Sequence, residues 1–273
     1  MQLVIDQNQL RKKPLEAFLA ASMKNHAVLT DTAFFEMLKG NVPIYVADRS
    51  LEILSRFPDQ VLVTDGTGVL MRKELGERKA ITTLVSNGLT DRFRATLRKA
   101  RSYYEGKEKI FPIDEATVLK ETVTIKLQRL DHDLHKKILQ DGISALKKAP
   151  SELQKKMRKG SFDKEVYEFV FQTAFIGFRE SILDLKFPKE VVEKLYTDYC
   201  LTARISMIGL LFAMQWFETH GADSLPKESV TNQLIDNDYV VSATYFDGIL
   251  SEEKRLNALY LKMKDLLEAN YKN

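Results

Sequence analysis

The sequence predicts an α/β protein whose parallel sheet is built from both ends of the chain and interrupted by a long, mostly helical segment. Three observations lead there. Short apolar runs alternate with amphipathic stretches over residues 1–65, that alternation fades between about residues 70 and 220, and it returns over the last forty residues. Strand and helix alternating at such short intervals is the pattern of parallel βαβ units.

Taken in order, Gln2–Ile5 is a short apolar run ending at Asp6, the pattern of a buried strand that delivers an acid to its carboxyl end. Pro14 suits a first helical turn, and Leu15, Phe18, Leu19 and Met23 follow at helical spacing. Residues 27–29 predict a second strand. Asp31 or Thr32 can then cap a helix through Phe34, Phe35, Met37 and Leu38, closed by Gly40. Residues 42–47 predict a strand, 50–57 a helix, and 60–64 another strand after the Pro58-Asp59 turn.

In the middle, Val123, Leu127, Leu130, Leu134 and Ile138 mark an amphipathic helix. A second helix over residues 163–185 is crowded with phenylalanines and reads as largely buried, and a third opens at Pro188 and runs on through Trp216. Its apolar stretch, residues 205–217, is too short to span a bilayer, which takes about 20 residues, and reads as a buried helix. The chain then closes with a helix near 232–246, a strand at Gly248–Leu250 and a helix from 252 to about 269.

The chain of 273 residues has 41 Lys or Arg against 38 Asp or Glu, a formal net charge of only +3. This excludes a generally polycationic protein, and 44% hydrophobic residues exclude a disordered one. The charge is unevenly spread. Residues 72–159 hold 22 basic and 12 acidic residues, net +10, between acidic flanks. Such a middle is either a polyanion-binding surface or a set of solvated helix faces. One cysteine, Cys200, excludes a disulfide framework and a multi-cysteine zinc site. With no apolar leader at the N-terminus, a cytoplasmic, reducing setting and no membrane contact are expected.

Carboxylates recur near element ends: Asp6 after the first strand, Glu36 inside a short helix, Asp238 at the start of a helix after Ile235-Asp236-Asn237, and Glu253 after the last strand. In an open parallel sheet, ligands bind beyond the carboxyl ends of the strands, so acids from distant positions can converge there. Several carboxylates in one pocket favour a hard cation, Mg²⁺ or Mn²⁺, which can activate water and clamp a phosphate oxygen. Each acid taken alone also reads as a cap, a turn former or a surface charge.

The segments Leu3-Val4-Ile5-Asp6-Gln7-Asn8 and Thr30-Asp31-Thr32-Ala33-Phe34-Phe35-Glu36-Met37-Leu38 resemble the opening of a PIN domain, a nuclease family that includes bacterial toxin ribonucleases. Asn237-Asp238-Tyr239-Val240-Val241-Ser242 and Gly248-Ile249-Leu250-Ser251-Glu252-Glu253 resemble its closing segments. The resemblance implies a PIN-like core over residues 1–70 and 229–273, with a large helical insertion over 71–228. It implies Asp6, Glu36 and Asp238 as metal-binding acids, with Glu253 as a fourth where Asp is commoner, and Ser251 as the small hydroxyl residue. Asp31, Asp236 and Asp247 are further acids that could replace a nominal ligand. The activity implied is metal-dependent endonucleolytic hydrolysis of RNA, with a toxin or defence role as an extension. Lys and Arg within 92–101 or 147–159 would hold the nucleic-acid backbone. A second copy of the chain, or an inhibitory protein, would be a further partner. The other reading is a catalytically inactive binding protein on the same core, its insertion contacting a protein or nucleic acid.

Other clusters compete with these. Asp131-His132-Asp133-Leu134-His135 puts two histidines on one helix face, as a metal ligand pair or a solvated face. Val63-Thr64-Asp65-Gly66-Thr67-Gly68 has two glycines but no Gly-Lys-Ser/Thr, so it reads as a turn. Cys200 sits in an apolar helix and reads as a buried structural thiol, and the aromatics of 169–178 as core.

Overall fold

A computed structural model describes residues 1–38, 42–113, 132–219 and 227–270. The protein is α/β, with a four-stranded parallel sheet flanked by helices, and its chain divides into two compact units. The first comprises residues 1–67, 83–130 and 245–254; the second comprises 68–82, 131–244 and 255–273.

The sheet belongs to the first unit. Its strands are β1 (Gln2–Ile5), β2 (His26–Leu29), β3 (Val61–Val63) and β4 (Gly248–Leu250), in the order β3-β2-β1-β4. Leu3 pairs with Ala27 on one side and with Gly248 on the other, so residues near the two ends of the sequence are neighbours in the sheet. The helices of this unit are α1 (Lys13–Ala21), α2 (Asp31–Leu38) and α3 (Pro43–Arg56), followed by α5 (Asn87–Tyr104) after α4 (Thr67–Glu77), which leads into the second unit. Ile5, Leu15, Leu29, Leu51, Leu54 and Leu97 join in one buried core.

Residues 42–47 are not a strand. Pro43 opens α3, and Ala47, Ser50, Leu51 and Leu54 are buried at helical spacing while Val42 and Tyr45 are more than half exposed. The β-branched run Val42, Ile44 and Val46 suggests a strand locally, but the apolar period over the following residues belongs to one continuous helix.

The second unit packs α6 (His132–Leu146), α7 (Ser151–Arg158), α8 (Lys164–Ser181), α9 (Lys189–Thr197), α10 (Leu201–Thr219), α11 (Lys227–Ala243) and α12 (Lys254–Asn270), apart from Lys254 itself. Helix α10 is central, with α6, α7, α8 and α11 against it. Its residues Leu211, Phe212, Ala213 and Met214 are buried, as expected for the apolar stretch at 205–217. A Cβ added at Gly142 would sit 2.7 Å from the Cβ of Ala213, so a residue without a side chain is what lets α6 approach α10.

Three expectations change here. The helix opened by Pro188 does not run through to Trp216. It breaks at Asp198-Tyr199-Cys200, with Tyr199 left-handed at φ 51°, and α9 and α10 meet at a 66° bend. The helix over 163–185 ends at Ser181 and gives way to a 3₁₀ turn at Leu183–Leu185. Of its phenylalanines only Phe178 is fully buried, while Phe169, Phe171 and Phe175 are partly exposed. Among the described residues no single helix is long and apolar enough to cross a membrane. The amphipathic residues Val123 to Leu130 fall outside the described residues.

Candidate functional site

The carboxyl edge of the sheet carries Asp6, Thr30, Thr64 and Ser251, one residue beyond β1, β2, β3 and β4 respectively. Strands β2 and β3 lie on one side of β1 and β4 on the other, so the winding reverses at β1. In open parallel sheets, ligands bind outside the carboxyl ends of the strands at such a reversal.

Asp6 stands at this point and is buried. Its backbone N–H extends the ladder by donating to the Leu250 carbonyl at 3.2 Å. Its side chain caps the 3₁₀ turn Gln7–Gln9: Oδ1 accepts from the Asn8 N–H at 3.2 Å. Oδ2 accepts from the Ser251 hydroxyl at 2.7 Å. The Ser251 oxygen in turn accepts from the Glu253 N–H at 3.0 Å. One turn away, Gln9 is 1% exposed, and neither its amide nitrogen nor its amide oxygen has a hydrogen-bond partner among the described residues. A salt bridge between Lys12 and Glu252, 2.5 Å long and partly exposed, also joins the β1 and β4 exits.

The other predicted acids are placed differently. Glu36 is on α2 and partly buried, and Glu253 is exposed. Asp238 belongs to the second unit. It does not begin a helix: α11 starts at Lys227 and Asp238 lies well inside it. The trio Asp236-Asn237-Asp238 looks like a cap, but the buried residues Thr231, Ile235 and Tyr239 carry the helical period straight through it. Each of the three reserve acids is held by a partner within its own unit. Asp31 accepts from the Thr67 N–H at 3.0 Å and from its hydroxyl at 3.3 Å. Asp236 pairs with Arg255 at 2.6 Å, and Asp247 accepts from the Gln2 N–H at 2.6 Å.

Among the described residues no three of His, Cys, Asp or Glu are grouped so as to hold a metal ion. Asp6, Glu36 and Glu253 belong to the first unit and Asp238 to the second. The side chains of the Asp131 to His135 cluster lie outside the described residues.

Many of the cations expected to hold nucleic acid are engaged internally. Arg94 donates from Nε to the Val61 carbonyl at 2.9 Å and from Nη2 to the Asp59 carbonyl at 2.8 Å. Arg98 pairs with Asp59 and Arg101 with Glu105. In the helical unit Lys156 is shared between Asp163 and Glu165, and the Arg158 guanidinium lies 5.0 Å from the centre of the Phe217 ring.

A buried acid that sequence reasoning passes over is Glu74, on α4 and wholly inaccessible. Its Oε1 accepts from the N–H groups of Leu201 at 2.8 Å and Ile81 at 3.2 Å. Its Oε2 accepts from the Thr202 N–H at 3.1 Å and the Thr202 hydroxyl at 3.3 Å. With the Cys200 sulfur accepting from the Ala203 N–H, the first three donors of α10 are all satisfied by side chains. Burial, with Glu74 nearby, pushes the Cys200 thiol well above its ordinary value, in keeping with a structural role. In sequence, Glu74 is one acid among several on a charged helix, and its partners on α10 lie more than 120 residues away.

No family model matches the chain, and neither a curated protein nor a solved structure is significantly similar to it.

Proposed function

We propose that the chain is a phosphodiester hydrolase, an endonuclease acting on RNA, with a PIN-like core whose working face is the carboxyl edge of the β3-β2-β1-β4 sheet. One observation carries this reading: a buried carboxylate, Asp6, and a hydroxyl, Ser251, hydrogen-bonded to each other where the sheet reverses its winding. Two donors fix Asp6 in place, which supports its use as an oriented acceptor, and Ser251 links it to the backbone of Glu253. Metal dependence, with Mg²⁺ or Mn²⁺ as the ion, comes from the resemblance alone.

A direct test measures cleavage of single-stranded RNA and DNA with Mn²⁺ or with EDTA, for the unaltered chain and for Asp6→Asn and Asp238→Asn. The proposal expects RNA cleavage that Asp6→Asn abolishes. Cleavage indifferent to EDTA and to both substitutions would overturn it.

The second reading, a catalytically inactive binding protein on the same core, is favoured by the acids already committed to internal partners, Asp31 with Thr67 and Asp236 with Arg255. Calorimetric titration separates the two. Binding of Mn²⁺ that Asp6→Asn weakens supports the enzyme; a folded protein that binds no divalent ion supports the binding protein.

A further inference from the structure

We propose that the recess formed in the helical unit by the end of α8, the 3₁₀ turn at Leu183–Leu185 and the start of α9 binds a small amphipathic anion, an alkyl or aryl body carrying one carboxylate or phosphate. The cavity measures about 550 Å³, within the range of small-molecule sites. Its apolar wall includes Phe175, Ile182, Phe187 and Val192. Two of these rings have packing partners: Phe175 packs on Tyr196 with centroids 4.9 Å apart, and the Arg78 guanidinium lies 5.2 Å from the centre of the Phe187 ring.

The charge around this wall is one-sided. Arg179, Lys186 and Lys189 line the recess against a single acid, Glu193, which lies 3.4 Å from Lys189. Among the described residues neither Arg179 nor Lys186 has an ion-pair partner, whereas Lys155, Lys156 and Lys194 of the same unit are all paired. Lys186 is moreover left-handed, with φ 50° and ψ 40°, a conformation unfavourable for a residue with a side chain. A lysine where glycine would be easier, beside an unpaired arginine and an apolar cavity, meets the needs of an anionic head on an apolar body. Leu183, on the turn itself, is 64% exposed and adds apolar surface at the rim. Neutral lipophiles would leave both cations unpaired, and a bare inorganic anion would leave the wall wet.

The test is calorimetric titration of the full chain with octanoate and octyl phosphate below their micelle concentrations, beside octanol and inorganic phosphate. Phosphatidylglycerol vesicles serve as a sedimentation arm that separates a free amphiphile from a lipid surface. Octanoate or octyl phosphate should bind at least about tenfold more tightly than octanol and than phosphate, the loss expected when one charge-assisted contact or the apolar body is removed. Arg179→Ala should weaken that binding about tenfold with the melting temperature unchanged. Lys186→Gly should also weaken it while raising the melting temperature, because glycine relieves the left-handed backbone. Equal affinity for octanol or inorganic phosphate, binding indifferent to both substitutions, capture by vesicles alone, or no binding would each overturn the proposal.

Discussion

Glu74 tests whether the helical unit depends on one buried carboxylate. Replacing it with glutamine keeps the size and removes the charge. In the better amide orientation the remaining carbonyl keeps the Leu201 and Ile81 N–H groups, and the Thr202 hydroxyl turns to accept. The Thr202 N–H then faces an NH₂ group and is left a buried, unsatisfied donor. An unsatisfied donor costs about 1–3 kcal/mol. A negative charge lost from a helix N-terminus adds about 0.3–1 kcal/mol, and up to about 2 in a buried setting. Glu74→Gln should therefore cost about 2–4 kcal/mol, which for a unit of this size lowers the melting temperature by roughly 10 °C. Glu74→Ala strands more donors and should cost more. The single tryptophan, Trp216 on α10, lies in the affected unit, so its fluorescence during urea unfolding reports the transition. Glu77→Gln, an exposed neighbour on the same helix, should stay within about 0.5 kcal/mol. If Glu74→Gln proved as mild as Glu77→Gln, the carboxylate would not be what holds the start of α10.

Gly142→Ala places a methyl 2.7 Å from that of Ala213, and overpacking of about 1–3 kcal/mol should outweigh the roughly 1 kcal/mol gained in helix propensity. Gly177→Ala has open space around it and should stabilise by about 0.5–1 kcal/mol, so chemical denaturation should give the two changes opposite signs. Ser251→Ala removes the donor to Asp6 and the acceptor for Glu253, at a cost of about 1 kcal/mol, and should speed amide exchange at Glu253. At alkaline pH, burial raises the Cys200 thiol, and burial together with Asp265 pushes the Tyr167 phenol up to about 12. Both acids stay protonated in the fold while the unfolded chain loses those protons at ordinary values, about 8.5 and 10. Stability is thus fully present below those values and falls as pH rises through them, continuing for Tyr167 to about 12. Unfolding followed from pH 8 to 11 should show this fall, flattened in part by Tyr167→Phe. Thiol reagents should modify Cys200 at pH 8 only after unfolding.

The strands were legible almost to the residue because a buried parallel strand is a short unbroken apolar run, and β1 and β4 are such runs bounded by an acid and a hydroxyl. The segment at 42–47 misled for the same reason: three β-branched or apolar residues in alternation imitate a strand, and only the continuation of the period through Leu54 identifies a helix. The break at Tyr199 carries no glycine or proline. It is set by Cys200 turning its N–H back to the Leu195 carbonyl and by Glu74 collecting the donors of the next helix. Both are tertiary conditions that no local window contains. Asp6 and Ser251 were visible as residues, but their 2.7 Å contact depends on β4 pairing with β1 across some 240 positions.

Charge illustrates the same gap between composition and availability. The net +10 of residues 72–159 suggests a surface waiting for a polyanion, yet its arginines divide by geometry into different employments. On α5, Arg94 and Arg98 both reach Asp59, the first through its backbone carbonyl, beside a second bond to the Val61 carbonyl, and the second through its carboxylate, and so tie the helix to the turn that feeds β3. Carbonyls carry no formal charge, so the Arg94 bonds leave the net charge of the segment untouched while engaging two of the guanidinium donors that a phosphate could take. The recess beside α9 shows the converse. It lies outside the most basic segment of the sequence, in a stretch whose net charge is negative, and yet Arg179 and Lys186 stand there without ion-pair partners among the described residues. What decides whether a cation can meet a ligand is the number of acceptors already within its reach, and that number follows from the packing of α5 and α8, not from the sum of charges along the chain.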